Sequence, residues 1–210
     1  MTITYKSLAG AFAAILLLGG LVTFTAALQS ARTLSEQVLR LHILPHSNSE
    51  EDQAAKLAVR DRILTDFADM FREYSAKADA MAFVYAHTND IANAARDELS
   101  QGEFAQNGLD HPISIALTRT HFPTTTYTNG IRLPAGHYSA IQITIGDGNG
   151  ANWWCVLFPA VCFSGSVSND ERLDLVLGED TARLARYPEP GDVQVRFKIV
   201  EWIDGLFGRR

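Results

Sequence analysis

The stretch Asn152-Trp153-Trp154-Cys155-Val156-Leu157-Phe158-Pro159-Ala160-Val161-Cys162-Phe163 constrains the fold more than any other part of the chain. It sets two of the three tryptophans and both cysteines within a single short run. Each indole has roughly 150–250 Å² to bury, so a Trp-Trp pair is costly without packed partners. The alternating segment Tyr138–Ile145 and the turn Gly146-Asp147-Gly148-Asn149-Gly150 stand just before it. That order predicts a hairpin of Tyr138–Ile145 with Trp153–Phe158 across the glycine turn. Pro159 argues against one continuous central strand through Cys162. In such a strand Cys155 and Cys162 would face opposite ways, roughly 23 Å apart. A disulfide needs α-carbons within about 7 Å. A Cys155–Cys162 bridge is expected, with the chain doubling back near Phe158-Pro159-Ala160. Two buried thiols packed beside Trp153 or Trp154 are the alternative.

The first residues follow a different rule. Leu8–Leu28 carries no charge and is preceded by Lys6. A run of about 20 apolar residues is long enough to cross a bilayer as a helix. Thr25 and Ala27 also suit the −3 and −1 positions of a secretory cleavage site. Residues 1–31 therefore read as a signal peptide or membrane anchor, with the amino terminus kept in the cytoplasm by Lys6. Both cysteines then lie outside the cytoplasm, where a pair can oxidise. Residues 32–210 suit one ordinary domain. The chain has a formal net charge of −6 and no basic stripe, so nucleic acid is not expected as a partner. Two cysteines are too few for a disulfide scaffold, which leaves the core to burial.

Val38–Leu44 sets Leu39, Leu41 and Ile43 against Arg40, His42 and Leu44, the alternation of a strand that Pro45 stops. Ser47 and Glu50 have capping-box spacing and predict a helix to about Tyr74, with Val59, Ile63, Phe67, Met70, Phe71 and Tyr74 inward. A second helix is expected over Ala78–Ser100, stopped by Gly102, with Met81, Val84, Ile91, Ala95 and Leu99 inward. Ile113–His121, Thr124–Thr128 and Ile131–Leu133 read as strands, the last two joined by a two-residue Asn129-Gly130 turn. Within the mixed stretch Ser168–Tyr187, a short helix is expected over Asp180–Arg186. Pro188–Asp192 reads as a turn and Val193–Ile203 as a closing strand. The class is α+β: a largely antiparallel β-sheet packed against a pair of helices, preceded by a transmembrane or signal helix.

The polar residues offer little conventional chemistry. His42 and His46 are four apart, but Pro45 denies them a shared helical face, and His87, His111, His121 and His137 are scattered. They read as structural histidines, so no metal and no cofactor are expected. Gly146-x-Gly-x-Gly lacks the lysine and hydroxyl of a phosphate loop. There is no Gly-x-Ser-x-Gly elbow, and neither cysteine has a local base. Asp61, Asp66 and Asp69 read as a solvated helix face, so no catalytic residue is assigned. His46–Gln53 is the more interesting polar run. Asp52, Lys56 and Arg60 follow at helical spacing, where opposite charges can pair. This is either an ordinary capped helix start or a recognition surface. Asp52, Gln53, Arg60, Asp61, Asn152, Trp153 and Trp154 are the partner-binding candidates.

These segments resemble the stage II sporulation protein R family. The likeness runs through His121-Phe122-Pro123 to Tyr127, then Leu133-Pro134-Ala135-Gly136-His137-Tyr138 into Gly146–Cys162. Arg40, Asp52-Gln53, Val59-Arg60-Asp61 and Arg196–Glu201 add further matches in order. His42, His46 and Asn48 depart from the expected arginine-like residue, asparagine and aspartate. The resemblance implies an extracytoplasmic domain exported from the forespore into the intermembrane space, anchored or released. It implies a non-enzymatic signal that activates a membrane-embedded aspartic protease, which then matures a mother-cell sigma factor. The N-terminal segment would supply the contact with membrane. A cell-envelope hydrolase acting on peptidoglycan is the competing expectation.

Overall fold

The computed structural model describes residues 5–101, 104–105, 110–127, 131–160, 177, 181–182 and 185–186. Helix α1 (Tyr5–Gln37) is followed at once by β1 (Leu39–Leu44). Next come α2 (Glu50–Glu73), α3 (Lys77–Ala86) and α4 (Thr88–Leu99). Strands β2 (Ile113–Phe122), β3 (Thr125–Thr126), β4 (Arg132–Leu133), β5 (Gly136–Ile145) and β6 (Trp153–Phe158) follow. The architecture is α+β, with a mostly antiparallel main sheet.

The main sheet has the order β2-β5-β1-β6, which corrects the expected hairpin of β5 with β6. β1 lies between them, parallel to β5 and antiparallel to β6. The reason lies in β1 itself. Leu39, Leu41 and Ile43 are fully buried on one face, while Arg40 (0% exposed) and His42 (7%) are buried on the other. A strand with both faces covered is most stable with both edges paired as well, so it takes the centre of the sheet.

Two apolar layers result. Leu39, Leu41, Ile43, Ile141, Ile143, Ile145, Cys155 and Leu157 meet α2, α3 and α4 through Val59, Ile63, Phe71, Val84, Ile91 and Ala95. On the opposite face Tyr138, Ala140, Val156 and Phe122 gather with Leu34, Val38, Ile131, Leu133, Leu177, Ala182 and Ala185. The inward positions expected of the first long helix hold at Val59, Ile63, Phe67 and Phe71, whereas Met70 is 40% exposed.

Two local expectations need correcting. Ser49, not Ser47, caps α2: its side chain accepts the Asp52 N–H at 3.1 Å. Glu50, Glu51 and Asp52 then place negative charge against the positive end of the helix. The second long helix is divided at His87 (φ −110°), where the Thr88 hydroxyl donates back to the Val84 carbonyl. Such local bonds from a threonine compete with a continuous helix. β3 and β4 do pair, and beyond them the Tyr127 N–H donates to the Ile131 carbonyl.

α1 is long and apolar enough to span a bilayer by length and composition, which fits a signal sequence or an anchor. It runs past Ala31, and its last turns bury Ala31, Leu34 and Ser35. Lys77 Nζ donates to the Glu36 carbonyl at 2.8 Å, tying α3 to the end of α1. The composition break near Ala31 thus falls inside a continuous helix.

Helical backbone is present at 181–182 and 185, with Arg186 N–H donating to the Ala182 carbonyl. The Asn129-Gly130 turn, the Gly102 stop, the Pro188–Asp192 turn, the Val193–Ile203 strand and Cys162 lie outside the described residues.

Candidate functional site

The site forms where β1 ends, α2 begins and the glycine turn returns to β6. Pro45 and His46 are held from behind by that turn: Gly150 N–H donates to the Pro45 carbonyl (3.0 Å) and Asn149 N–H to the His46 carbonyl (3.1 Å). Gly146 and Gly148 have φ of +60° and +68°, a region that glycine enters without steric cost. A Cβ on Gly150 would lie 2.0 Å from the Ser47 carbonyl oxygen, so the two segments touch backbone to backbone.

Asp52 is the hub of the network. It is 4% exposed; the Ser47 hydroxyl donates to its Oδ2 at 2.5 Å, and His111 Nε2 lies 3.0 Å from its Oδ1. Burial alone would raise its pKa, but the hydrogen bonds from Ser47, Ser49 and His111 outweigh it and hold the carboxyl below its ordinary range. The His46 ring stacks on His111 at 4.2 Å between centroids and 23° between planes. His46 Nδ1 accepts the Asp147 N–H at 3.0 Å.

The expected charge ladder along α2 is not the one observed. Lys56 turns from Asp52 and donates to Gln53 Oε1 (2.5 Å) and the Ala151 carbonyl (2.9 Å), while Gln53 Nε2 donates to the Ser47 carbonyl (2.9 Å). An ammonium has three donors, and backbone carbonyls near a loop give it better geometry than a carboxylate one turn away. Burial, then the nearby Arg60, lowers the Lys56 pKa. Arg60 forks onto Asp61 at 2.7 and 2.8 Å and lays its guanidinium over the Trp153 ring, 4.4 Å from the centroid.

The seven partner-binding candidates therefore divide. Asp52, Gln53, Arg60, Asp61 and Trp153 gather on the α2 side of the sheet. Asn152 is exposed just before β6. Trp154 points through the other face, against Phe122 and His42. Cys155 is 2% exposed at mid-β6, and the strand ends at Phe158 before a turn at Pro159-Ala160.

Sequence reasoning missed two features. One is the company His46 and His111 keep with Asp52, since nothing local links the end of β1 to the start of β2. The other is Arg40, whose alternation with leucines suggests an outward side chain. Its Nη2 instead meets the Tyr127 hydroxyl (2.6 Å) and Thr125 Oγ1 (3.3 Å), and its guanidinium lies 3.9 Å from the Phe122 centroid. Beside it, burial and then the charge on Arg40 push the His42 pKa down to about 4.

That shift gives a pH signature. As pH falls from about 6.5 towards 4, the unfolded chain protonates at His42 while the native chain does not, so stability drops. The slope from this group reaches about 1.4 kcal/mol per pH unit in that window. The Asp52 contribution is present above its ordinary range near 3.8 and is lost only below it. Equilibrium denaturation at pH 7, 5.5 and 4.5 should show the fall, and His42→Leu should flatten it. An unaltered slope in His42→Leu would assign the titration to other groups.

Chemically the hub positions its own segments against one another. The Ser47 hydroxyl is directed to a carboxylate, with His111 on the carboxylate's far oxygen, so His111 is not placed to take the Ser47 proton. Together these features define an α+β domain behind an apolar helix, organised around a hydrogen-bonded hub at a helix start. The family described as stage II sporulation protein R (spore_II_R) matches residues 35–168, which include every residue of that hub. Stage II sporulation protein R of Bacillus subtilis (strain 168) is 30% identical, with 83% of each chain covered. The chain belongs to the stage II sporulation protein R family. No solved structure matches it.

Proposed function

We propose that this protein is a non-catalytic intercompartmental signal of endospore formation. Exported from the forespore to the intermembrane space, it activates a membrane-embedded aspartic protease that matures a mother-cell sigma factor. Residues 1–31 serve as signal or anchor, and residues 32–210 carry the activity. The observation that carries this reading is how the hub spends its polar atoms. Ser47, Gln53, Lys56 and Asn48 bind backbone or one another across three segments, which builds a rigid surface rather than an activated nucleophile. Arg60 and Trp153 form the accessible rim beside it, and Arg and Trp are the residue types that most often anchor protein interfaces.

Arg60→Ala tests the surface. Arg60 is partly exposed, its ion pair with Asp61 is worth about 0–1 kcal/mol and its cation–π contact with Trp153 about 0.5–1 kcal/mol, so its loss should cost no more than about 2 kcal/mol of stability. The variant is expected to fold, to be exported and to leave the sigma-factor precursor unprocessed. Full processing by Arg60→Ala would remove this rim from the contact.

A Cys155–Cys162 disulfide belongs to the same proposal. What supports it is that the chain has two cysteines, seven positions apart, and that β6 ends at Phe158 in a turn at Pro159-Ala160 between them. So short a loop should gain near the lower end of about 2–4 kcal/mol. Alkylation of the denatured, unreduced protein followed by mass spectrometry should label no thiol; two labelled thiols would contradict the bridge.

A further inference from the structure

We infer that His46, Asp52 and His111 form a binding site for a first-row divalent metal ion of the zinc type. One donor atom from each lies within 4.8 Å of the others. Two imidazoles and one carboxylate are the donor set of zinc-like sites, whereas calcium and magnesium favour oxygen alone. The pair His111 Nε2 and Asp52 Oδ1, 3.0 Å apart, is nearly spaced for chelation. Two bonds of about 2.0–2.2 Å at a tetrahedral angle hold their donors roughly 3.3 Å apart.

The surroundings also suit a metal. Ser47 fixes the second oxygen of Asp52, the kind of outer contact that orients a ligating carboxylate. His46 Nδ1 accepts the Asp147 N–H, so that nitrogen presents a lone pair. The metal would displace the proton shared by His111 and Asp52 to solvent, and the His46 ring would turn from the Asp147 amide to complete a third bond. His46 and His111 are 33% and 24% exposed at their side chains, which leaves an entry path and an open fourth position for water. Such a site clips the segment after β1 and the segment leading into β2 to the first turn of α2. Because ligation releases a proton, affinity should fall as pH falls.

The test uses the full chain in detergent, titrated with Zn²⁺ by calorimetry at pH 7.5, with Co²⁺ as a spectroscopic probe. One equivalent is expected to bind, giving the visible bands of tetrahedral Co²⁺. Affinity should fall by at least about tenfold in His111→Ala and His46→Asn, since even outer-shell losses cost about 10–100-fold. His137→Ala, at an exposed position near the start of β5 and the far end of its pairing with β2, should bind as the parent does. Asparagine at 46 can still accept the Asp147 N–H, so this variant carries the test if His111→Ala does not fold. Failure to take up one equivalent, or uptake unchanged in His46→Asn, would overturn the site.

Discussion

Gly150→Ala is expected to destabilise the protein by at least the upper end of the roughly 1–3 kcal/mol typical of overpacking. The added Cβ would stand 2.0 Å from the Ser47 carbonyl oxygen and 2.6 Å from its carbon. Those are backbone atoms, so no rotamer change relieves the clash. The two segments must separate, which endangers the Gly150–Pro45 bond and the Ala151 carbonyl that accepts from Lys56. Gly148→Ala is the comparison: its clash is with the Thr144 methyl, at 2.8 Å, added to the strain of φ +68°. The denaturant midpoint should fall further for Gly150→Ala than for Gly148→Ala. Equal midpoints with the parent would mean that the loop and helix start are not held in contact.

Asp52→Ala should rank beside it. Hydrogen bonds to a charged group contribute about 1.5–3 kcal/mol each, and the Asp52 carboxylate takes one from Ser47 and one from the partly exposed His111, so a loss of about 3 kcal/mol is expected. The substitution strands the Ser47 hydroxyl and removes an anion from the first turn of α2. Asp52→Asn keeps an acceptor for Ser47 and should recover part of the loss. The contrast with Arg60→Ala separates scaffold from surface: Asp52→Ala should lose activation together with stability, Arg60→Ala activation alone. Near-parental stability in Asp52→Ala would deny Asp52 its role as hub.

Much of this fold was legible in the chain. The period-two runs at Val38–Leu44, Ile113–His121, Tyr138–Ile145 and Trp153–Phe158 each form a strand, and the spacing of Val59, Ile63, Phe67 and Phe71 marks the buried face of α2. Strand order was not legible, because a parallel pairing such as Leu41 with Ile141 has no local signal. Sequence proximity favoured β5 with β6, while burial of both faces of β1 decided otherwise. The site was half visible. Asp52, Gln53 and Arg60 stand in one helical run, and Trp153 reaches them because Ile43 pairs with Trp153 in the sheet. His111 could be found only through the pairing of Ile113 with Ile145, which brings it under the glycine turn.

The central claim is activation without catalysis, and one reconstitution tests it most directly. The chain, the membrane-embedded aspartic protease and the sigma-factor precursor are produced together in a host that does not sporulate, and precursor cleavage is followed on immunoblots. Processing should require export of this chain and should disappear when it is omitted. Cleavage that is the same with and without the chain would contradict the account, as would peptidoglycan hydrolysis by the purified protein that is lost on changing Asp52 or His111.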